Sequence, residues 1–253
     1  MKQSQFYYLL RRGLFSAGSA IIKNGLVMFN KFTTAGISHP VQGSAEFNGT
    51  SDYIQLNDPF SHTNHTIAAW VNMNTQSSTA LIFDNRDGDD DGLRFLLSFG
   101  ENFFYSVNAS DLSDNSQPTN EWIYFVGTYD GTTQKLYKNG SIVSTAATSQ
   151  SVSTTTDAKI GANSYSLGNY YNGNLANVAI WNRALSSDEI NSVMWKSYEA
   201  LSGTESNGLQ AWYSLDDITS PAASLANMQQ LATDKNATIE NTAAITAAIN
   251  SLS

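Results

Sequence analysis

The sequence contains no cysteine, so neither a disulfide nor a thiolate metal site contributes to its fold. No run reaches the roughly 18 apolar residues that a membrane-spanning helix requires. A P-loop, a G-x-S-x-G elbow and a Cys/His dyad are likewise absent, which removes common nucleotide-binding and nucleophilic arrangements. Basic residues are scarce: 13 Lys and Arg stand against 22 Asp and Glu, for a net charge of −9. Five of those bases (Lys2, Arg11, Arg12, Lys23 and Lys31) fall in the first 31 residues, which hold no acid. Eight bases against 22 acids then leave the rest at −14. Such an acidic body repels phosphate, which excludes nucleic-acid binding through it.

What is present points to strands. At 253 residues, 41% hydrophobic and 11% aromatic, the chain can bury a sizeable core, and all-β sandwiches of this length fold as one domain. From Trp122 onward, apolar residues alternate through Ile123, Phe125 and Leu136. Asp130-Gly131 and Asn139-Gly140 supply residues that tolerate positive φ, so two hairpins are expected. Leu175, Val178, Ile180 and Leu185 form a further apolar strand. Ser186 and Glu189, three apart, then read as a capping box that starts a short helix. Ile190, Val193, Met194 and Tyr198 fall at helical spacing, so that helix is expected to lie on the sheet as a lid.

The segments YDGTTQKLYKNGSIV and GNLANVAIWNRALSSDEINSVM, with FNGTSDYIQL and HTIAAWVNMN upstream, resemble laminin G-like domains of the concanavalin A-like superfamily. The similarity covers residues 41–217. It implies an all-β fold, a two-sheet antiparallel jelly-roll sandwich of about a dozen strands. Residues 24–32 and 207–215 both open with Asn-Gly-Leu and share apolar steps; the family's first and last strands carry similar wording. The expected organisation is therefore a basic and apolar arm over 1–23, the sandwich over 24–217 and a helical tail over 218–253. The tail's apolar residues (Leu225, Met228, Leu231, then Ile245, Ile249, Leu252) fit helical faces. It has too few anchors to stand alone, so it is expected to pack on its own body or on another subunit. The arm, with FYYLL before Arg11-Arg12, reads as an arm that docks on a partner, the alternatives being a secretory or twin-arginine signal and extra strands and loop packing on the sandwich.

Three constellations carry chemistry. In Asp84-Asn85-Arg86-Asp87-Gly88-Asp89-Asp90-Asp91-Gly92, Asp87, Asp89 and Asp91 match the first half of a calcium loop. The Glu that would close an EF-hand is replaced by Ser98. Asp84, Asp87, Asp89 and Asp91 are candidate calcium ligands, against the alternative of a solvated acidic hairpin. Tyr165, Tyr170, Tyr171 and Asn172 lie in a segment rich in Gly, Asn and Ser; tyrosine rings beside amides suit sugar binding, while the alternative is that they cover a sheet edge. Trp70 and Trp181 sit in apolar strands and are expected in the core. His39, His62 and His65 lie in or beside turns; His62 and His65 are a possible metal pair, against ordinary surface histidines.

Catalysis is not expected. The paired carboxylates E-x-D-x-x-E of concanavalin A-like glucanases are missing, and two positioned carboxylates are the usual equipment of glycoside hydrolysis. Asn48, Asn64, Asn108, Asn139 and Asn236 open glycosylation sequons, with Asn139 better explained by its turn. The reading is a non-enzymatic binding module, expected on a virion surface as a capsid decoration, fibre or tail protein. Its partners would be virion proteins or its own subunits, docked through residues 1–23 and 218–253, and cell-surface glycans. The alternatives are a secreted bacterial carbohydrate-binding or adhesion module, extracellular or on the cell surface, and a divergent glycoside hydrolase.

Overall fold

Strand residues that alternate between two apolar environments account for the architecture. Along one central strand, Ile67, Ala69, Val71 and Met73 enter one apolar cluster, while Ala68 and Trp70 enter a second on the opposite face. A strand buried on both faces must lie inside a layered structure. The computed structural model of the protein describes residues 22–23, 26–27, 32–33, 36–37, 43–56, 58–74, 78–88, 92–97, 103–108, 110–114, 120–152 and 154–215. The expected tail over 218–253 lies outside them, as does nearly all of the arm over 1–23. Of the two matched segments, 24–32 falls partly outside and 207–215 lies within.

The chain divides into two compact units, residues 1–39 and 40–253. In the first, β1 (Ile22–Lys23) pairs with β2 (Leu26–Val27) and β3 (Phe32–Thr33) with β4 (Gly36–Ile37), both antiparallel. The second contains β5 (Ala45–Asn48), β6 (Ile54–Gln55), β7 (His65–Met73), β8 (Ala80–Asp84), β9 (Leu93–Leu97), β10 (Phe103–Val107) and β11 (Ser110–Asp114). It continues with β12 (Trp122–Tyr129), β13 (Thr133–Lys138), β14 (Ser141–Ala147), β15 (Lys159–Ile160), β16 (Asn172–Trp181), the helix α1 (Ser187–Val193) and β17 (Leu209–Tyr213).

Two antiparallel sheets result, as the resemblance implied. The six-stranded sheet runs β11-β10-β9-β8-β15-β6, and the seven-stranded sheet runs β14-β13-β12-β7-β16-β17 with β5 also paired to β16. Their inner faces share one core in which Phe103 and Phe125, one from each sheet, stack with centroids 3.8 Å apart. Both expected hairpins form. Asn139 (φ 49°) and Gly140 (φ 81°) occupy the left-handed region demanded by a tight two-residue turn.

The capping box also forms. The Glu189 N–H donates to the Ser186 hydroxyl and the Ser186 N–H to the Glu189 carboxylate. The side chain of Arg183 grips the same carboxylate with two bonds of 2.7 and 3.0 Å, and chiefly through it the Glu189 pKa falls to about 2. Ile190, Val193 and Met194 cover Trp70, Tyr137 and Trp181 on the outer face of the seven-stranded sheet. Tyr198 departs from expectation: it sits in the 3-10 turn Tyr198–Ala200 beyond the helix and is exposed.

Candidate functional site

The outer face of the six-stranded sheet carries a row of charges. Because Phe83, Leu93, Phe95, Tyr105, Val107 and Ile160 point into the core, their strand neighbours point outward. Register then aligns Gln55, Lys159, Asp84, Arg94, Ser106 and Asp111 as consecutive cross-strand partners from β6 to β11. Opposite charges placed directly across strands stabilise one another. The Arg94 guanidinium donates to the Ser106 hydroxyl at 3.1 Å and to the Asp111 carboxylate at 3.3 Å.

At the other end of the row, the loop from β15 to β16 folds over Asp84. Its backbone is shaped by Asn163, whose Oδ1 accepts the N–H groups of Tyr165 and Ser166 while its own N–H donates to the Gly168 carbonyl. This brings Ser164 onto Asp84, with its N–H and hydroxyl donating to Oδ2 at 2.8 and 3.0 Å. Arg86 folds back to donate through Nε to Asp84 Oδ1 at 2.6 Å. Lys159 donates to the Ser164 carbonyl; burial lowers its pKa, against the pull of Asp84 and Asp157. The result is a nearly water-free ionic cluster whose members satisfy one another.

Tyr165 lies on top. Its ring centroid is 5.3 Å from the Arg86 guanidinium carbon, a cation–π arrangement, and the residue remains 38% exposed. Next to it Leu167 is 60% exposed. Asp84 through Arg86 thus forms the pedestal of an aromatic ring presented to solvent.

The four residues expected to bind a ligand do not converge. Tyr165 is presented. Tyr170 is half-buried beside Tyr53, with ring centroids 6.5 Å apart. Tyr171 corrects the expectation: it is fully buried, edge-on to Phe47, because it precedes β16 with its ring turned into the core. Asn172 lies across the sandwich, on the outer face of the seven-stranded sheet, where its side-chain oxygen accepts from Asn74 at 3.1 Å.

The acidic loop also reads differently. Asp84 is fully buried and both its oxygens are held by Arg86 and Ser164. A guanidinium at that distance is the counter-charge, so Asp84 does not fit a calcium ligand set. Asp87 is exposed and accepts the Thr155 N–H at 3.2 Å, while Asp89 and Asp91 lie outside the described residues. Among the described residues no group of three or more acids, histidines or cysteines is placed to hold a metal. His65 is not a surface group: it is buried to 1% exposure, with both ring nitrogens engaged. A shared metal with His62 is therefore ruled out at that ring.

The residues missed at the sequence level are Arg86, Arg94, Lys159 and Ser164. The signal for Arg94 and Lys159 was present, since each interrupts an apolar strand at an outward position. Nothing local in the sequence marks Ser164, whose partner is 80 residues away.

A family model described as the concanavalin A-like lectin/glucanases superfamily matches residues 48–191. Comparison with curated proteins gives no match. Among solved structures, similarity extends to a Bacteroides ovatus protein with a provisional assignment to carbohydrate binding, at 15% identity and a TM-score of 0.55. The match covers 69% of this chain and 52% of that one, so the chain spans about half its length. A heptameric SAP-like pentraxin from Limulus polyphemus matches at 18% identity and TM-score 0.51, covering 61% and 82% of the two chains. A CBM40 from the Ruminococcus gnavus IT-sialidase, bound to α2,3-sialyllactose, matches at 12% identity and TM-score 0.50, covering 60% and 96%. These three share the fold. With its family model spanning more than half the sequence, the chain belongs to the concanavalin A-like lectin/glucanase superfamily.

Proposed function

We propose that this protein is a non-catalytic carbohydrate-binding module that takes glycan on the outer face of the six-stranded sheet, with Tyr165 as its stacking platform. The observation that carries this reading is the exposed Tyr165 ring supported by Arg86, itself fixed by Asp84, whose other oxygen Ser164 holds. A ring already immobilised loses little entropy on binding, so its contact with the apolar face of a pyranose adds to affinity with little offset. Arg94 and Asp111 extend the surface with groups that pair with hydroxyls. The lectin-like fold and the sialyllactose bound by the similar Ruminococcus gnavus CBM40 support the same class. Titration calorimetry after a glycan-array screen tests it. Tyr165→Ala should weaken the array's best ligand at least tenfold with an unchanged melting temperature; unaltered affinity overturns the reading.

The proposed setting is a virion surface, supported only by the character of the two terminal stretches and the hydroxyl-rich composition. Co-purification with capsid or tail proteins tests it. Recovery of the chain with a bacterial envelope instead supports an adhesion module.

A further inference from the structure

Across the sandwich, the outer face of the seven-stranded sheet is divided. The lid helix covers the part built on Trp181, Tyr137 and Trp212. Beyond the lid, register aligns Glu46, Asn174, Asn72 and Trp122 on the adjacent strands β5, β16, β7 and β12. All four point outward, since Ala45, Phe47, Leu175, Val71, Met73 and Ile123 beside them belong to the inner core. Three strand spacings make the row about 14 Å wide.

The chemistry of this row is selective. Asn174 commits one amide N–H to the Ser44 hydroxyl at 3.3 Å. The side chains of Asn72 and Glu46 have no hydrogen-bond partner among the described residues. An amide offers two donors beside two acceptor lone pairs, the complement of vicinal sugar hydroxyls. Trp122 closes one end, half-buried against the apolar cluster.

A second indole stands over the boundary with the lid. Trp195 is 55% exposed, with its ring 5.8 Å from that of Trp70. Trp70 is two residues along β7 from Asn72 on the same face. It is fixed in turn by the Tyr124 ring at 5.2 Å and by its N–H donating to the Met194 carbonyl at 3.2 Å. A large apolar ring held in place yet left in water gains little for folding and suits contact with a ligand.

We infer that the half beyond the lid is a second glycan-binding surface, specific for neutral pyranose oligosaccharides. It goes beyond the Tyr165 site, which lies on the opposite sheet and is built on arginines. The Glu46 carboxylate accepts hydroxyl hydrogens and repels anionic sugars, whereas no cation belongs to the row. Amides read the hydroxyl edge while Trp122 and Trp195 supply stacking faces.

The test is calorimetric titration of the full chain with cellotetraose, xylotetraose, maltotetraose and mannotetraose. At least one is expected to bind, with Asn72→Ala and Trp195→Ala each weakening it tenfold or more at unchanged melting temperature, and Tyr165→Ala leaving it unaltered. No binding by any of the four overturns the inference. So does binding that Tyr165→Ala abolishes and Asn72→Ala leaves intact, an outcome that sustains the Tyr165 site on its own.

Discussion

The Tyr105 hydroxyl meets His65 Nε2 at 2.5 Å in the middle of the sandwich, joining β10 of one sheet to β7 of the other. Nδ1 of the same ring faces the carbonyls of His62 and Thr63 at 3.0 and 2.9 Å. Carbonyls only accept, so Nδ1 carries the proton and Nε2 accepts from the tyrosine; the tautomer follows from the partners. A neutral, fully bonded imidazole is therefore part of the core. Burial, the largest influence, lowers its pKa from 6.5 to about 4, against the raising effect of the two carbonyl bonds.

That depression sets a pH window. Between about pH 6.5 and 4 the unfolded chain binds a proton at His65 that the folded chain does not, so stability falls as pH falls through the interval. The full loss amounts to roughly 3 kcal/mol. Urea unfolding between pH 7 and 4 should show the decline, and the His65 ring resonances should titrate near pH 4. A midpoint near 6.5 in the folded protein would refute the buried neutral imidazole. Glu189 and Glu205, each held near pKa 2, add acid lability only below about pH 4.5.

Gly127 is what makes room for that pair. A Cβ on it would stand 2.4 Å from the Tyr105 ring, and the ring has a core on every side. Gly127→Ala should therefore cost about 1–3 kcal/mol or more through overpacking, read as a lowered urea midpoint with unchanged slope. Shrinking the ring with Tyr105→Leu should recover part of the clash in the double variant, and additive losses would show that the two positions do not touch.

How much of this was legible beforehand depends on whether a residue's partner was local. The Asn139-Gly140 turn, the Ser186/Glu189 box and the alternation through Ile123 and Phe125 are satisfied within a few residues, so their pattern stands in the sequence. Trp70 and Trp181 were expected in the core and are buried, though under the helix lid and not between the sheets. Asp84 looked like one more acid of the Asp84 to Asp91 cluster because its counter-charge comes from Arg86, folding back two residues, and its other donor, Ser164, comes from across the fold. Tyr165 and Tyr171 carry the same side chain six residues apart, and only the path of the loop decides which ring is presented. The Glu46, Asn174, Asn72, Trp122 row is invisible in one dimension, since it is assembled by register between strands far apart in the chain.

Removing the charge of Asp84 separates the pedestal from a metal role. Asp84→Asn leaves Arg86 buried without its counter-charge, and breaking such a pair costs about 3–5 kcal/mol. The loss should be the same with and without millimolar calcium. A loss confined to the calcium-loaded protein would mean that the carboxylate serves a cation after all.

The two tyrosines of the same loop should respond in opposite ways. Tyr171→Ala empties a fully buried site beside Phe47 and should cost about 3–5 kcal/mol, the range for deleting a core aromatic ring. Tyr165→Ala removes a ring that contacts Arg86 from the solvent side, and should change stability by roughly 0.5 kcal/mol at most, as surface substitutions do. Thermal unfolding of the two variants decides it. A large loss at Tyr165 would make that ring a structural cover for the Asp84 cluster, and the glycan platform would then have to be sought elsewhere on the sheet.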